Sequence, residues 1–347
     1  MNEGSITTGE RIDLRAIGRW AAAHVDGFRE PFTMVKFAGG QSNPTYLIEA
    51  ASGSYVLRRQ PFGPLLPSAH AVHREYQLIA ALHPLGFPVP RPYGLCADRS
   101  VIGAMFYIME YVPGRNFTDG AMKSLSPADR RAAYHAMVDT LAALHRLDPK
   151  TVGLADFGRP GNYFERQISR WVKQYRATAT DTISEMEKLI AWLPRSAPAQ
   201  TQTALIHGDY RIDNLIFAPN RSEIIGVIDW ELSTLGDPLA DFSYFALNWV
   251  GPPIGKSKVV ELDLVALAIP TLEQIIERYC AAIGWQSIPD LDWYFAYNFF
   301  RLACILQGIK RRVIDGNASS EEGAAIGERV PTFAQAAWQF ALKARAA

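Results

Sequence analysis

LIHGDYRIDNLIF, residues 205 to 217, consists of two apolar runs on either side of a turn that is dense in charged and polar residues. A further apolar run, Val227-Ile228, ends in Asp229, fifteen residues after Asn214. Short apolar runs that are bounded by turn residues indicate buried strands. We therefore expect Asp209, Asn214 and Asp229 to lie at strand ends, where two carboxylates and an amide converge.

These three side chains match the needs of phosphoryl transfer. One carboxylate orients the acceptor hydroxyl, and a pair of oxygen ligands holds magnesium against the nucleotide phosphates. We assign Asp209 as the catalytic base and Asn214 with Asp229 as metal ligands. His207 is expected to support the loop by hydrogen bonding, and Asp241 is expected to fix the loop backbone.

The order HGDYRIDN followed by IDW resembles the signature of the aminoglycoside phosphotransferase and choline kinase superfamily, whose members are relatives of protein kinases. The resemblance implies an α+β, protein-kinase-like fold with a small antiparallel-sheet N-terminal lobe and a larger, mostly helical C-terminal lobe. It also implies ATP and Mg²⁺ as cofactors. The break at Pro113-Gly114 marks the boundary, and we predict a nucleotide-binding lobe at 1–111 and a catalytic and acceptor-binding lobe at 112–347.

Such a fold needs a nucleotide lobe upstream, and the sequence offers its parts in the expected order. A loop of small and polar residues lies between two predicted strands, where backbone N–H groups can approach phosphates. The candidates in this loop are Gly39, Gly40, Gln41, Ser42 and Asn43.

A cation and an acid follow the loop. Tyr55-Val56-Leu57-Arg58 aligns with the strand that ends in lysine in the family, so Arg58 is the predicted phosphate contact and Arg59 the alternative. Glu75, on the next predicted helix, is the expected partner of that cation. At the lobe junction, the resemblance implies that backbone atoms of Glu110 and Val112 bind adenine.

The periodicity of the rest of the chain predicts mostly helices. Leu14, Ile17, Ala21 and Val25 recur at helical spacing and indicate an amphipathic opening helix. Three antiparallel strands are expected between Phe32 and Gln60. Further helices are predicted at about 68–83, 127–147, 163–175, 181–193, 263–283, 291–314 and 319–346.

Composition excludes several classes of function. The 347 residues carry 35 Lys plus Arg and 35 Asp plus Glu, so no global field favours nucleic acid or an anionic membrane. The three cysteines lie far apart, which disfavours a disulfide framework and favours a reducing, cytoplasmic location. The N-terminal segment is polar, so we expect neither export nor a membrane span.

Within the superfamily, the chain most resembles the kinase-like domains that are associated with acyl-CoA dehydrogenases, typified by mammalian family members ten and eleven. The resemblance lies in YVLRRQP (55–61), MEYVPGR (109–115) and WELSTLGDPLAD (230–241). It implies a hydroxylated small-molecule acceptor, a 4-hydroxyacyl-CoA or hydroxy acid, and a functional link to an acyl-CoA dehydrogenase.

Several alternatives stay open at this stage. Residues 251–347 carry ten acidic and ten basic side chains, a balance that argues against polycationic aminoglycosides. A choline-like acceptor would require an aromatic cage for its ammonium group, which Trp249, Trp285, Trp293 and Tyr294 could supply. The chain could instead be a non-catalytic nucleotide-binding module. The run Lys310-Arg311-Arg312 is either a solvated helix face or a contact for coenzyme A phosphates.

Overall fold

A computed structural model of the chain describes residues 12–37, 43–63, 70–253, 259–289, 291–316, 325 and 327–346. Backbone contacts divide the chain into two units. Unit 1 comprises Met1–Asn116, Val152–Leu154 and Asn214–Ser233, and unit 2 comprises Phe117–Thr151, Ala155–Asp213 and Thr234–Ala347. The division is therefore not a single cut, because unit 1 takes in the segment that carries Asn214 and Asp229. The predicted lobe boundary after residue 111 stays a prediction.

Unit 1 is built on two antiparallel sheets. The strands of the first are β1 (Phe32–Lys36), β2 (Thr45–Ala50), β3 (Gly53–Arg59), β4 (Pro92–Cys96) and β5 (Phe106–Glu110), and their order in the sheet is β1-β2-β3-β5-β4. The strands of the second are β6 (Arg115–Asn116), β8 (Leu215–Phe217) and β9 (Ile224–Val227), in the order β6-β8-β9. The predicted strands between Phe32 and Gln60 are confirmed.

Two helices accompany the five-stranded sheet, α1 (Leu14–His24) and α2 (Val72–Leu82). Asp13 caps α1 by accepting a hydrogen bond from the backbone N–H of Ala16, and the apolar face of the helix joins the core formed by the sheet. The predicted opening helix is confirmed. Helix α2 carries Glu75 in its first turn, so its buried face brings an acid next to the sheet.

Unit 2 is mostly helical and holds one small antiparallel pair, β7 (Ala204–Ile206) with β10 (Thr234–Gly236). Together with the sheets of unit 1, this confirms the predicted α+β class. The helices of unit 2 are α3 (Pro127–Arg146), α4 (Tyr163–Thr178), α5 (Ser184–Ser196), α6 (Pro238–Ala246), α7 (Leu272–Ile283), α8 (Asp292–Ile314) and α9 (Val330–Ala346).

Helix α8 runs through the interior of unit 2. Every residue from Trp293 to Cys304 is buried, and the helix packs against α4, α6 and α9. A helix that is enclosed on all sides must satisfy its polar side chains internally. Asn298 accordingly donates to the backbone oxygen of Ala240, at 3.1 Å, and to the hydroxyl of Ser243, at 2.8 Å, which ties α8 to α6.

The start of α7 differs from the prediction. The sequence pattern predicted a helix from residue 263, whereas α7 begins at Leu272. Thr271 and Gln274 form a capping box there, with each side chain bonded to the other's backbone N–H. Pro270 immediately precedes the cap. In a longer helix, the backbone N–H groups of Thr271 and Gln274 would donate to carbonyl oxygens of the preceding turn. The capping box bonds both of them to side chains instead, so the helix starts at Leu272.

Candidate active site

The hairpin of β8 and β9 positions Asn214 and Asp229 in unit 1. Asn214 directly precedes β8, Asp229 lies two residues beyond β9, and Leu215 pairs with Val227. The backbone N–H of Ile228 donates to the oxygen of Asn214 at 3.0 Å, which extends the pairing towards both candidates. The predicted metal ligands therefore share one end of a single hairpin.

Asp229 adopts a left-handed backbone conformation, with φ 67° and ψ 59°. Residues other than glycine rarely occupy this region, and such residues are concentrated at functional sites. The conformation ends β9 and starts a short 3-10 turn at Trp230. The side chain is 35% exposed, so it is accessible to a ligand.

Arg58 connects the carboxylates of unit 1. Its Nε lies 2.8 Å from Oε2 of Glu75, its Nη2 lies 2.7 Å from Oδ1 of Asp229, and the same Nη2 lies 3.6 Å from Oε2 of Glu231. One guanidinium thus faces three carboxylates. Burial by itself would lower the pKa of Arg58, but the negative charge of Glu75 and its neighbours outweighs burial and raises that pKa.

Glu75 is held by partners from two strands and one loop of unit 1. Besides Arg58, its carboxylate accepts hydrogen bonds from Tyr107 at 3.2 Å and from the side chain of Asn43 at 3.0 Å. Burial raises the pKa of Glu75 to about 7, against the opposing attraction of Arg58, and the charges of Asp229 and Glu231 add to the rise. The excess of negative charge in this group favours a further cation.

The alternative cation, Arg59, points away from this group because side chains alternate along a strand. It is fully buried and donates to the backbone oxygen of Gln60 and to the hydroxyl of Tyr46. Its guanidinium also lies 3.8 Å from the ring centroid of Phe62. Arg59 therefore serves the packing of unit 1, and Arg58 is the arginine beside Asp229.

The predicted phosphate loop is described only at its end. Gly39, Gly40, Gln41 and Ser42 lie outside the described residues. The buried side chain of Asn43 donates to Glu75 and, at 3.2 Å, to Glu231, while His70 Nδ1 lies 3.1 Å from its oxygen. The Asn43 side chain thus supports the carboxylates around Arg58.

The predicted adenine contacts lie at the end of β5. The backbone N–H of Glu110 donates to the oxygen of Arg91 at 2.8 Å, which leaves that N–H engaged within unit 1. Val112 is half-buried, and its backbone makes no hydrogen bond to the described part of the chain. Of the two residues, Val112 therefore offers both backbone groups to a ligand. Both assignments stay predictions.

In unit 2, Asp241 on α6 holds the loop that carries Asp209. Its two carboxylate oxygens accept the backbone N–H groups of His207, at 2.5 Å, and Gly208, at 2.7 Å. Burial alone would raise the pKa of Asp241, but the hydrogen bond and charge of His145, the charge of His207 and the Gly208 N–H together lower it. A fully ionised carboxylate with two backbone donors makes a rigid anchor.

His207 adds a second constraint on the same loop. It is fully buried, and its Nδ1 accepts the backbone N–H of Asp209 at 3.2 Å. This geometry agrees with a supporting role, although the roles of His207 and Asp241 stay predictions.

Two residues beside Asp209 were missed by the sequence analysis. Tyr244 donates its hydroxyl proton to Oδ1 of Asp209 at 2.7 Å. Arg301 on α8 donates to the backbone oxygen of Gly208, and its guanidinium lies 5.1 Å from the centroid of the Tyr244 ring. Tyr244 lies one helical turn after Asp241, a spacing that could have indicated it. Arg301 carries a single charge in an apolar run, which was a weaker signal.

The basic run of α8 is paired on the surface. Lys310 lies 2.9 Å from Asp181 and 3.7 Å from Glu328, and Arg311 lies 3.0 Å from Asp315. These ion pairs favour the solvated helix face over a coenzyme A contact. Among the helices of the described ranges, none combines the length and the hydropathy of a membrane-spanning segment.

A family model described as the phosphotransferase enzyme family, APH, matches residues 33–287. The chain belongs to this phosphotransferase family. The match contains every candidate site residue from Gly39 to Asp241, and it confirms the resemblance drawn from HGDYRIDN and IDW. The assignment of each residue to a role within the family stays a prediction.

Similar proteins extend this family placement. Acyl-CoA dehydrogenase family member 10 of Mus musculus is 45% identical over 316 residues, which are 90% of this chain and 30% of the mouse protein. The chain thus spans about a third of the length of that relative. A candidate aminoglycoside phosphotransferase from Ralstonia eutropha is 41% identical, with a TM-score of 0.87 over 96% of this chain and 99% of that one.

A more distant structure shares the fold alone. Spectinomycin phosphotransferase, solved with ADP and spectinomycin, has a TM-score of 0.60 at 12% identity over 97% of this chain and 99% of that one. The predicted kinase-like fold class of this phosphotransferase is confirmed by these likenesses.

Proposed function

We propose that this phosphotransferase transfers the γ-phosphoryl group of ATP to a hydroxyl of a small molecule, with Mg²⁺ as the metal. The observation that carries the proposal is the guanidinium of Arg58 held between Glu75 and Asp229 beside the Asn214 hairpin end. A cation placed among carboxylates at a strand end is the arrangement that nucleotide phosphates and a divalent metal require. The ADP in the structure of spectinomycin phosphotransferase supports an adenine nucleotide as donor.

The residues fit a magnesium ion. Asn214 and Asp229 offer an amide oxygen and a carboxylate, and Mg²⁺ prefers oxygen ligands while keeping water and phosphate oxygens in its remaining positions. In the described ranges no three His, Cys, Asp or Glu side chains form a metal cluster, so most of the other ligands would come from nucleotide and water. Mg²⁺ supplies charge neutralisation of the phosphates when it is bound with ATP.

The protein's own groups then have distinct tasks. Arg58, oriented by Glu75, would hold the phosphate oxygens, and the predicted role of Asp229 and Asn214 is to fix the metal. Asp209 would accept the proton of the acceptor hydroxyl as its oxygen attacks the γ-phosphorus. The bond from that phosphorus to the bridging oxygen breaks, and ADP leaves with the electron pair.

We propose a hydroxyacyl thioester, such as a 4-hydroxyacyl-CoA, or the corresponding hydroxy acid as the acceptor. Support comes from the 45% identity to part of acyl-CoA dehydrogenase family member 10, a protein whose name refers to acyl-CoA chemistry. A functional link to an acyl-CoA dehydrogenase belongs to the same proposal.

The test is direct product analysis. Purified protein is incubated with Mg-ATP and 4-hydroxyacyl-CoAs, free hydroxy acids, choline or an aminoglycoside, and phosphorylated products are identified by mass spectrometry. Asp209→Asn should lower turnover by about 10²- to 10⁴-fold while nucleotide affinity stays near wild type. Glu223→Gln, at an exposed ion pair with Arg221, is the control. Magnesium-dependent ATP binding without product from any acceptor would favour a non-catalytic nucleotide-binding module.

A further inference from the structure

Unit 2 contains a cavity of about 670 Å³ that the proposed chemistry does not use. It is bounded by the ends of α5 and α9, the segment before β7, the start of α6, the loop between α7 and α8, and the start of α8. Its most distinctive lining residues are aromatic rings and one carboxylate: Trp192, Trp285, Trp293, Tyr294 and Asp237. No lysine, arginine or histidine of the described chain lines it.

Asp237 is a buried carboxylate without a cationic partner. It is 6% exposed, and one oxygen accepts the backbone N–H of Leu239 at 2.9 Å as the cap of α6. In the described part of the chain, Asp237 forms no ion pair with a Lys, Arg or His side chain, and the Leu239 N–H is its one recorded hydrogen-bond donor. Burial raises the pKa of Asp237 to about 6, although the hydrogen bond from Leu239 by itself would lower that pKa. A buried carboxylate in this state gains from any cation that enters the cavity.

The aromatic walls suit the same kind of ligand. The faces of tryptophan and tyrosine rings attract cations, most strongly where water is excluded. Trp293 is fixed in place because its Nε1 donates to the hydroxyl of Ser196 at 2.9 Å, and its ring lies edge-on to Tyr294 at 5.4 Å. Three of the four aromatic residues that the sequence offered for a choline-like acceptor, Trp285, Trp293 and Tyr294, line this cavity. Trp249 is not part of it, since its ring packs on Tyr134 and Phe245.

The cavity lies at the other end of β7 from Asp209. Gly236 pairs with Ala204 at the start of β7, which places Asp237 near Thr203. Asp209 follows the opposite end of the strand, after His207. His207 is four positions after Thr203, a distance of about 13 Å in an extended chain. A small ligand that is held at Asp237 therefore lies too far from Asp209 to present a hydroxyl to it.

We propose that this cavity is a second binding site, specific for a small organic cation whose ammonium group pairs with Asp237 and contacts the tryptophan faces. The carboxylate supplies the charge, and the rings exclude water from the pair. The site is independent of the phosphotransferase reaction and of its acceptor.

The probe is tetramethylammonium, which has no hydroxyl and so cannot be phosphorylated. Isothermal titration of the full chain should show one saturable site, and tert-butyl alcohol, which is similar in size but neutral, should bind at least tenfold more weakly. Asp237→Asn keeps a good helix cap but removes the charge, and should weaken tetramethylammonium binding at least tenfold. Trp285→Leu should also weaken it.

Asp156→Asn, an exposed carboxylate of unit 2, is the matched control and should bind as wild type. Circular dichroism melts verify that each variant is folded. The proposal is overturned if tetramethylammonium does not bind, if the alcohol binds equally well, or if Asp237→Asn binds as tightly as the control.

Discussion

Nη2 of Arg58 lies 2.7 Å from Oδ1 of Asp229, so the candidate phosphate-binding cation is paired directly with a candidate metal ligand. The pairing joins residues 171 positions apart in the chain. Glu75 holds the other side of the same guanidinium. Any change in the charge of Arg58 must therefore alter both the nucleotide contact and the surroundings of Asp229.

Arg58→Gln should destabilise the protein by about 3–5 kcal/mol, because it leaves buried Glu75 without its cation. It should also weaken ATP binding by at least tenfold. Arg58→Lys keeps the charge but has no planar fork, so we expect it to retain most of the stability and a larger share of the affinity. Urea unfolding and titration calorimetry with Mg-ATP measure the two effects. Equal losses in both variants would show that charge at this position does not matter.

Tyr244→Phe should lower turnover by about ten- to a hundredfold with little change in the KM for ATP. The phenol hydroxyl that orients Asp209 is lost, and a hydrogen bond to a charged group contributes about 1.5–3 kcal/mol. Tyr134→Phe is a matched control, since it removes a buried hydroxyl that bonds to the backbone oxygen of Gly120. A positioning role for Tyr244 is refuted if both variants lose the same small amount of activity.

Asp241→Asn should destabilise unit 2 by about 2–4 kcal/mol. In the wild type each carboxylate oxygen accepts one backbone N–H, whereas in the variant the amide nitrogen would face one of these N–H groups and could not accept it. Amide hydrogen exchange at His207 and Gly208 should accelerate, and turnover should fall with it. Asp139→Asn breaks an exposed pair with Arg278 and should cost at most about 1 kcal/mol. Unchanged exchange at the two amides would mean that other contacts hold the loop.

The stability of the protein should respond to the protonation of Asp237. Its pKa in the folded state is about 6, above the ordinary value of 3.8. The folded state therefore binds more protons between these values, and stability falls as pH rises through this window. Two neighbouring tyrosines interact electrostatically with Asp237 in the described structure. Burial, together with negative charge that includes Asp237, raises the pKa values of Tyr279 on α7 and Tyr294 on α8.

From pH 5 to pH 7.5, the wild type should lose about 1.4 kcal/mol relative to Asp237→Asn, since pH 5 lies one unit below the folded pKa. Urea unfolding of both proteins at the two pH values gives this difference. If the unfolding free energies of the two proteins differ by the same amount at pH 5 and pH 7.5, the folded-state pKa of Asp237 lies outside this pH range.

The sequence was sufficient for the family and the fold class because HGDYRIDN and IDW combine unusual residue types with a fixed order. It favoured Arg58 over Arg59 only by alignment with the family's lysine, and it gave no physical reason to exclude Arg59. Neighbouring strand residues face opposite sides, and only the packed sheet shows that Arg59 lies among Tyr46 and Phe62.

The periodicity did not predict helix α6, although its first four residues end the WELSTLGDPLAD motif. All nine of its residues are buried, so it lacks the polar face that makes helical periodicity visible. Tyr244 and Arg301 were missed for a related reason. Their importance comes from contacts with a loop 35 and 93 residues away, and such contacts leave no local pattern.

The two N–H bonds that Asp241 accepts from His207 and Gly208 have a consequence for ligand recognition. The backbone leading to Asp209 is ordered by the protein itself, so the entropic cost of fixing it arises during folding and not when a substrate arrives. Binding energy from an acceptor is then available for discrimination among acceptors. Residues around the loop can then set the choice of acceptor while the loop itself stays unchanged.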